Sequence, residues 1–233
     1  MYSYDLARYL QSPVTAQWQD IGLVQADART GDMWADEHIE DLLHSLPTLR
    51  TLVLHYKQAI DHVDFLSQLP QLTSLGLYCQ ETPLGPDPLA TSLLQCGGLT
   101  ELSLSSGFTT AQCSALFAKL TIRKLTFRGG NLGTLQCFAA GPITQSLQEL
   151  TISSAKLPTS ELPHLYSLRR LRTLNLDESF TSRLDDAAIG SLSPPSQLLP
   201  ALTKLSYRKG WSAADYVERQ GPSYEWMQAR LTQ

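Results

Sequence analysis

The sequence predicts an α/β solenoid with one parallel sheet of about eight short strands, covered on its other side by helices and loops. Two observations lead to this prediction. First, the pattern apolar-x-x-apolar-x-apolar occurs eight times along the 233-residue chain, at steps of 23 to 31 residues. Second, several of the intervening segments place apolar residues at helical spacing. A pattern that recurs at such regular steps is typical of repeat proteins.

Each occurrence of the pattern predicts one strand. Its last two apolar residues are two positions apart, so both face the same side of a short strand. The first apolar residue lies three positions upstream, where the chain turns into the strand. One such strand cannot bury its apolar side alone, so neighbouring repeats must stack, and return segments on the outside make the strands parallel. The eight patterns begin at Trp18, Leu49, Leu72, Leu99, Ile122, Leu147, Leu171 and Leu202.

The segments between the patterns return the chain to the start of the next strand. Helical spacing of apolar residues predicts helices over residues 36–46, 61–69, 109–120 and 184–192. Two further segments, 81–88 and 156–163, are interrupted by prolines and have weaker helical patterns. A loop is predicted over 193–200, which begins Ser-Pro-Pro-Ser.

This pattern resembles that of the leucine-rich repeat family over about residues 18–210. The helical return segments are similar to those of its intracellular, ribonuclease-inhibitor-like type. The resemblance implies a horseshoe with the sheet on the concave side, because packed helices need ~8–10 Å whereas parallel strands need ~4.8 Å. The family often places Asn or Cys three residues after the last motif leucine, to bond backbone groups. Here those positions hold Ala26, Lys57, Gln80, Gly107, Gly130, Ala155, Ser179 and Gly210, so another group must satisfy this backbone.

The two ends of a solenoid need covers for their apolar faces. Residues 1–17 are predicted to form an N-terminal cap, with Leu6, Tyr9 and Leu10 at helical spacing. The eight repeats occupy 18–210. Residues 211–233 are predicted to form a C-terminal helical cap, with one helix after Ser212 and another after the break at 221–222.

Charge and cysteine usage restrict the class of protein. The net charge is −4, which argues against a general nucleic-acid binder. Residues 1–116 contain 4 Lys/Arg and 13 Asp/Glu, whereas 117–233 contain 14 and 9, so the charge distribution can orient a partner. The cysteines, at 79, 96, 113 and 137, lack metal-ligand spacing and are predicted to be reduced core residues. With no secretory signal and no apolar run of ~20 residues, we expect a cytoplasmic location.

The search for catalytic motifs points away from an enzyme. The chain lacks the nucleophile, metalloprotease and phosphate-loop motifs, and its closest approach to a phosphate loop, R-G-G-N-L-G at 128–133, has the wrong spacing. A turn that needs flexible backbone is the better interpretation of those glycines. We therefore expect no enzyme activity, no cofactor and no metal. An enzyme with an unrecognised site, for example around Asp177, stays open as an alternative.

A binding surface is predicted on the side of the sheet opposite the motif leucines. Three residues of each strand alternate with the leucines and face that side. Some of their charges will pair across neighbouring strands, as Lys124 with Glu149, and a solvated sheet face is the alternative interpretation. Candidate partner-binding residues are His55, Tyr78, Glu101, Lys124, Arg128, Glu149, Asn175, Asp177, Lys204 and Arg208.

These observations predict a non-catalytic protein–protein interaction module that binds another protein and is itself monomeric. Two alternatives remain. The family resemblance implies one alternative, the substrate-recognition subunit of a ubiquitin-ligase-type assembly. Only residues 1–17 precede the first repeat here, which argues against that role. The basic half could bind nucleic acid through Arg169, Arg170 and Arg172. Other repeats have Pro, Thr, Gln, Ala and Arg at the equivalent positions, however, so we interpret these arginines as exposed residues at the end of a return segment.

Overall fold

The computed structural model describes residues 20–24, 46, 48–56, 64–79, 86–105, 108–129, 132–155, 157–177, 192, 199–208 and 216–220. These residues form an open nine-stranded sheet whose strands lie side by side in sequence order. The first eight strands are parallel, and the ninth pairs antiparallel with the eighth. The strands are β1 (Asp20–Val24), β2 (Thr51–Tyr56), β3 (Ser74–Cys79), β4 (Glu101–Ser105), β5 (Lys124–Arg128), β6 (Glu149–Ser153), β7 (Thr173–Asp177), β8 (Lys204–Arg208) and β9 (Tyr216–Gln220).

The motif leucines align in register from strand to strand. Leu102, Leu125 and Leu150 are consecutive Cα partners, and the second motif position follows the same register through Leu104, Phe127 and Ile152. From β2 to β8 both motif positions are at most 1% exposed. Burying one such side chain stabilises the fold by roughly 1.5–3 kcal/mol. The predicted α/β solenoid, with one parallel sheet of about eight strands and helices in its return segments, is confirmed.

A tight turn precedes each of five described strands. In the turn before β7, the Leu171 N–H donates to the Leu168 carbonyl at 3.1 Å, and the two residues between them, Arg169 and Arg170, are exposed. The same i to i+3 bond closes the turns 46–49, 69–72, 96–99 and 199–202. Proline at the second position, Pro70 and Pro200, presets the backbone of two of these turns. The arginines are therefore turn residues, as the sequence indicated, and Arg172 is exposed as well.

Backbone hydrogen bonds join successive repeats at the start of each strand. The Arg50 carbonyl accepts from the N–H groups of Thr73 at 2.8 Å and Ser74 at 2.9 Å, two residues of the next repeat. The same shared acceptor recurs in the following repeats, at the carbonyls of Thr73, Thr100, Arg123, Gln148 and Arg172. Because these bonds involve only backbone groups, they fix the register of neighbouring repeats whatever the side chains are.

The return segments contain both α-helices and 3-10 helices. The α-helices are α1 (Pro86–Gln95), α2 (Thr110–Phe117) and α3 (Ile143–Ser146), and the 3-10 helices are η1 (Asp64–Gln68), η2 (Gln136–Phe138) and η3 (Thr159–Ser167). The helix predicted over 109–120 is confirmed, and Thr109 forms a capping box with Gln112 at its start. The described parts of segments 36–46 and 184–192 are Leu46 and Leu192, which are buried; the rest of both predictions lies outside the described residues.

Two of the helix predictions need correction. Residues 61–69 were expected to form an α-helix, but the described part, η1, is one short 3-10 helix. The prolines of segment 81–88 were expected to interrupt a helix. Pro86 and Pro88 instead lie in the first turn of α1, where backbone N–H groups have no hydrogen-bond partner within the helix.

The C-terminal prediction is wrong for residues 216–220. They form β9, a strand antiparallel to β8, and not part of a helical cap. The edge of β8 offers unpaired backbone groups, and Tyr216 and Val217 are good strand formers, so pairing with that edge competes with helix formation. The rest of 211–233 and the predicted cap at 1–17 lie outside the described residues.

Side chains of several types form hydrogen bonds with the backbone of a neighbouring repeat. At the end of β3, the Cys79 N–H donates to Ser105 Oγ at 2.7 Å, and the Ser105 hydroxyl donates to the Cys79 carbonyl, also at 2.7 Å. On the helical side, the Ser167 hydroxyl donates to the Phe138 carbonyl at 2.7 Å, and Glu161 accepts from Leu135 N–H at 2.9 Å. Each bond spans one repeat, so different residues perform the same structural task in different repeats.

The turn after β5 has the flexible backbone expected of R-G-G-N-L-G. Gly129 has φ 119° and Gly133 has φ 64°, both in the region that favours glycine. Ser154, at the equivalent position after β6, also has a positive φ, of 57°. Two neighbouring repeats therefore have a positive φ at the residue that follows the strand.

Ser105→Ala is expected to lower the free energy of unfolding by about 1–3 kcal/mol, because the buried Cys79 N–H and carbonyl both lose their partner. Denaturant unfolding followed by circular dichroism measures this change. Ser103→Ala is the matched control, since Ser103 lies on the same strand and is partly exposed. Equal effects of the two substitutions would contradict the bridging role of Ser105.

Candidate functional site

The open face of the sheet, defined as the face opposite the buried motif leucines, presents its side chains in three rows. The rows run across the strands because equivalent positions are in register. From β2 to β8, row one is Thr51, Ser74, Glu101, Lys124, Glu149, Thr173 and Lys204. Row two is Val53, Gly76, Ser103, Thr126, Thr151, Asn175 and Ser206. Row three is His55, Tyr78, Ser105, Arg128 and Ser153, and by backbone register alone its next positions are Asp177 on β7 and Arg208 on β8.

The three rows differ in chemistry. Row one alternates in charge along its second half, row two consists of small or uncharged side chains, and row three mixes aromatic, hydroxyl and charged residues. Row-two side chains such as Thr126 and Thr151 are partly exposed. On β5, the short and partly exposed Thr126 lies between the longer, exposed side chains of Lys124 and Arg128.

Row one contains an ion pair across neighbouring strands. Lys124 Nζ lies 3.8 Å from Glu101 Oε2, and the two side chains are 48% and 47% exposed. The Ser74 hydroxyl also donates to Glu101 Oε2, at 3.5 Å. Lys124 is in register with Glu149 as well, the partner expected from the sequence, but its described ion pair is with Glu101. Such an exposed pair adds little stability, so both groups stay available to a ligand.

Row three begins with two stacked rings. The imidazole of His55 and the phenol of Tyr78 lie with their centroids 4.7 Å apart and their planes 17° from parallel. Gly76 makes room for this pair: a Cβ there would lie 3.1 Å from Cε2 of Tyr78 and 3.3 Å from Cγ1 of Val53. The sequence indicated that both rings could make apolar contacts, but the stacking depends on strand register and on this glycine.

Arg128, further along row three, is an exposed cation between two serines. Its register partners are Ser105 on β4 and Ser153 on β6. Within the part of the chain that the structure describes, no carboxylate lies within 4 Å of its guanidinium. Arg128 therefore has the geometry of a cation that can accept an acidic group from a partner.

In row two, Asn175 has a buried Oδ1 without a hydrogen-bond partner among the described residues. Its strand partners are Thr151 on β6 and Ser206 on β8, and Ser206 is buried although it lies on the open face. The face is thus more enclosed near β8 than at β5.

All ten sequence-predicted residues belong to the three rows. Glu101, Lys124, Glu149 and Lys204 lie in row one, Asn175 lies in row two, and the other five lie in row three, with Asp177 and Arg208 placed by backbone register. They extend from β2 to β8 and so do not converge on one point. Sequence reasoning missed Ser105, whose hydroxyl looks like any other open-face serine until its bonds to Cys79 are seen.

The thiols are poor candidates for chemistry at this face. All four cysteines are free and buried in the core, as predicted. Burial raises the pKa of Cys96 to about 11 and that of Cys137 to about 12, so both thiols stay protonated at neutral pH. Among the described residues, no three His, Cys, Asp or Glu side chains come together as a metal site. No helix in those same residues has the length and apolarity needed to cross a bilayer.

Gly76→Ala is expected to push the Tyr78 ring away from its place beside His55, because the added methyl group would crowd the ring. The ring protons of His55 should then move in the NMR spectrum as the ring current of Tyr78 is lost. Gly97→Ala is the control, since a Cβ at Gly97 meets nothing within 4 Å. Unchanged His55 shifts in the Gly76→Ala chain would contradict this packing.

Comparison with known proteins finds likeness among solved structures and not among family models or curated proteins. No family model matches the sequence, and no curated protein matches it either. Among solved structures, the chain is similar to an internalin (inlF) from Listeria monocytogenes, at 18% sequence identity and a TM-score of 0.39. The match covers 72% of this chain and 56% of the internalin, so this chain spans little more than half the length of that protein.

Proposed function

We propose that the chain is a non-catalytic protein–protein interaction module whose partner docks on the open face of the sheet. The main support is the arrangement of that face: charged and aromatic side chains in two outer rows, with a row of short ones between them. Shared backbone carbonyls fix these rows at each strand start, so the side chains have a defined spacing. Pre-positioned polar groups lower the cost of binding because fewer of them need to be ordered.

The size of the face suits a protein partner. Nine strands ~4.8 Å apart and five residues long give a projected area of roughly 600 Å². This is close to the ~800 Å² that each partner buries in a standard interface. Neighbouring helical return segments need more space between them than neighbouring strands do. This difference would make the open face concave, so that it curves around the partner.

The chemistry of the face favours a polar, electrostatically selected complex. Among the described residues, the one large apolar side chain that is exposed is Leu94, at 45%, and it lies on α1 and not on the open face. Charged groups instead lie in rows one and three. Complementary charges steer association and select partners more than they add affinity.

We further propose that the module works as a monomer in the cytoplasm and binds without covalent chemistry. Four free, buried thiols support a reducing compartment. The raised pKa values of Cys96 and Cys137 argue against thiolate catalysis by these two groups.

Thr151→Trp is expected to weaken partner binding by at least about tenfold, because a large ring in row two would hold any partner away from the sheet. Arg128→Glu should weaken it as well, by reversing a charge in row three. The measurement is affinity capture from the native organism with mass spectrometry, followed by titration of the purified partner. Arg170→Glu is the control, since it makes the same charge change in an exposed turn outside the open face.

A partner that binds the Thr151→Trp and Arg128→Glu chains as well as the unmodified chain would contradict docking on the open face, provided that circular dichroism shows the variants folded. Weakening by Arg170→Glu alone would instead place the partner at the turns.

A further inference from the structure

One position of each repeat lies at the rim of the sheet, directly before the strand begins. As far as Arg172, the backbone carbonyl at this rim position accepts two N–H groups of the next repeat. All of the residues at the rim position are exposed or partly exposed. From β2 to β8 they are Arg50, Thr73, Thr100, Arg123, Gln148, Arg172 and Thr203.

The threonines at the rim position bond the backbone of the neighbouring repeat, whereas the arginines do not. The hydroxyls of Thr73, Thr100 and Thr203 each donate to the carbonyl of the rim residue in the preceding repeat, at 3.2 Å. Within the described part of the chain, the guanidinium groups of Arg123 and Arg172 have no hydrogen bond of this kind and no carboxylate within 4 Å. The fold therefore uses the backbone of these two arginines and not their charge.

Three such arginines lie together in one part of the rim. The Gln148 N–H donates to the Arg123 carbonyl, and the Arg172 N–H donates to the Gln148 carbonyl, both at 2.7 Å. Arg123 and Arg172 are therefore two strand spacings apart, ~10 Å, with an uncharged residue between them. Arg170, in the turn before Arg172, is exposed and has no carboxylate within 4 Å among the described residues. We call Arg123, Arg170 and Arg172 the arginine rim.

The arginine rim is short and suits carboxylates. The rim positions on its two sides hold the uncharged Thr100 and Thr203. About four residues of extended peptide, at ~3.3 Å each, span the distance from Arg123 to Arg172. A guanidinium can donate two parallel hydrogen bonds to one carboxylate. A long polyanion that extended beyond the arginines would be repelled, because the chain has a net charge of −4 and Glu149, on the strand between them, is exposed.

We infer that the arginine rim is a second interaction surface, separate from the open face, that binds a short acidic segment of a partner protein. Arg123 and Arg172 each pair with a carboxylate of that segment, and Arg170 adds positive charge beside them. Because exposed ion pairs supply the affinity, the complex is weak and dissociates as salt is added.

The test uses the full chain and two peptides whose side chains differ in charge and not in shape. Gly-Glu-Glu-Glu-Glu-Gly is the acidic peptide, and Gly-Gln-Gln-Gln-Gln-Gly is the uncharged one. Fluorescence anisotropy of the labelled peptides measures binding at about 0.1 M salt, where the Debye length is ~10 Å. The acidic peptide should bind, more weakly as salt is raised, and should move the backbone amide signal of Gln148 in a ¹⁵N-labelled chain. The uncharged peptide should do neither.

Substitution by threonine removes the charge and inserts the residue that other repeats have at the rim position. Arg123→Thr and Arg172→Thr should each weaken binding of the acidic peptide by about 1.5-fold to fivefold, the loss of one exposed ion pair. The double variant should weaken it by about twofold to thirtyfold. Arg50→Thr is the matched control and should leave binding unchanged. It makes the same change at the same position of the repeat, but three strand spacings, ~14 Å, from Arg123.

Failure of the acidic peptide to bind the unmodified chain would overturn the inference, and this measurement needs no variant to fold. Equal weakening by Arg50→Thr and Arg123→Thr would overturn it as well, because attraction would then depend on overall charge. A duplex DNA of random sequence is the third probe. If it binds more tightly than the acidic peptide and loses that binding in the double variant, the arginine rim would be a nucleic-acid surface and the inferred partner class would be wrong.

These outcomes are independent of the proposed function. Loss of a captured partner on Thr151→Trp concerns the open face, whereas loss of the acidic peptide on Arg123→Thr/Arg172→Thr concerns the rim. Either proposal can therefore fail while the other holds.

Discussion

The whole structure depends on the burial of motif residues that no single repeat can bury. In one five-residue strand such as β5, Leu125 and Phe127 project from the same side and are covered by the strands and return segments next to them. Since every repeat has the same requirement, the strands stack in parallel and in register. Shared backbone carbonyls at the strand starts then hold that register whatever the side chains are. The positions that alternate with the motif residues are left free to vary, and they form the open face.

Features that depend on periodicity could be predicted from the sequence. The eight motif positions predicted where β1 to β8 lie in the sequence, their parallel pairing and the face to which each candidate residue belongs. Arg169 and Arg170 were placed in a turn because other repeats have prolines and polar residues at those positions. Features that depend on local competition could not be predicted in this way. Residues 216–220 contain apolar residues compatible with a helical cap, but a neighbouring strand edge favours β9.

In the candidate site, too, some features could be predicted from periodicity and others could not. Membership of the three rows follows from alternation along a strand, whereas the contacts within the rows depend on side-chain conformation and neighbour size. The stacking of His55 on Tyr78 requires the small Gly76 beside it, and Ser105 turns out to bond the backbone of Cys79. Lys124 has possible acidic neighbours on both sides, and sequence alone does not choose between them.

The most direct test of the account compares one substitution at two positions. Leu125→Ala removes a buried motif residue from the middle of the array, whereas Leu94→Ala makes the same change at a residue that is 45% exposed. Equilibrium unfolding in denaturant should show a loss of about 2–5 kcal/mol for Leu125→Ala and within about 0.5 kcal/mol of no change for Leu94→Ala. Similar small losses at both positions would contradict the claim that mutual burial of the motif residues holds the repeats together.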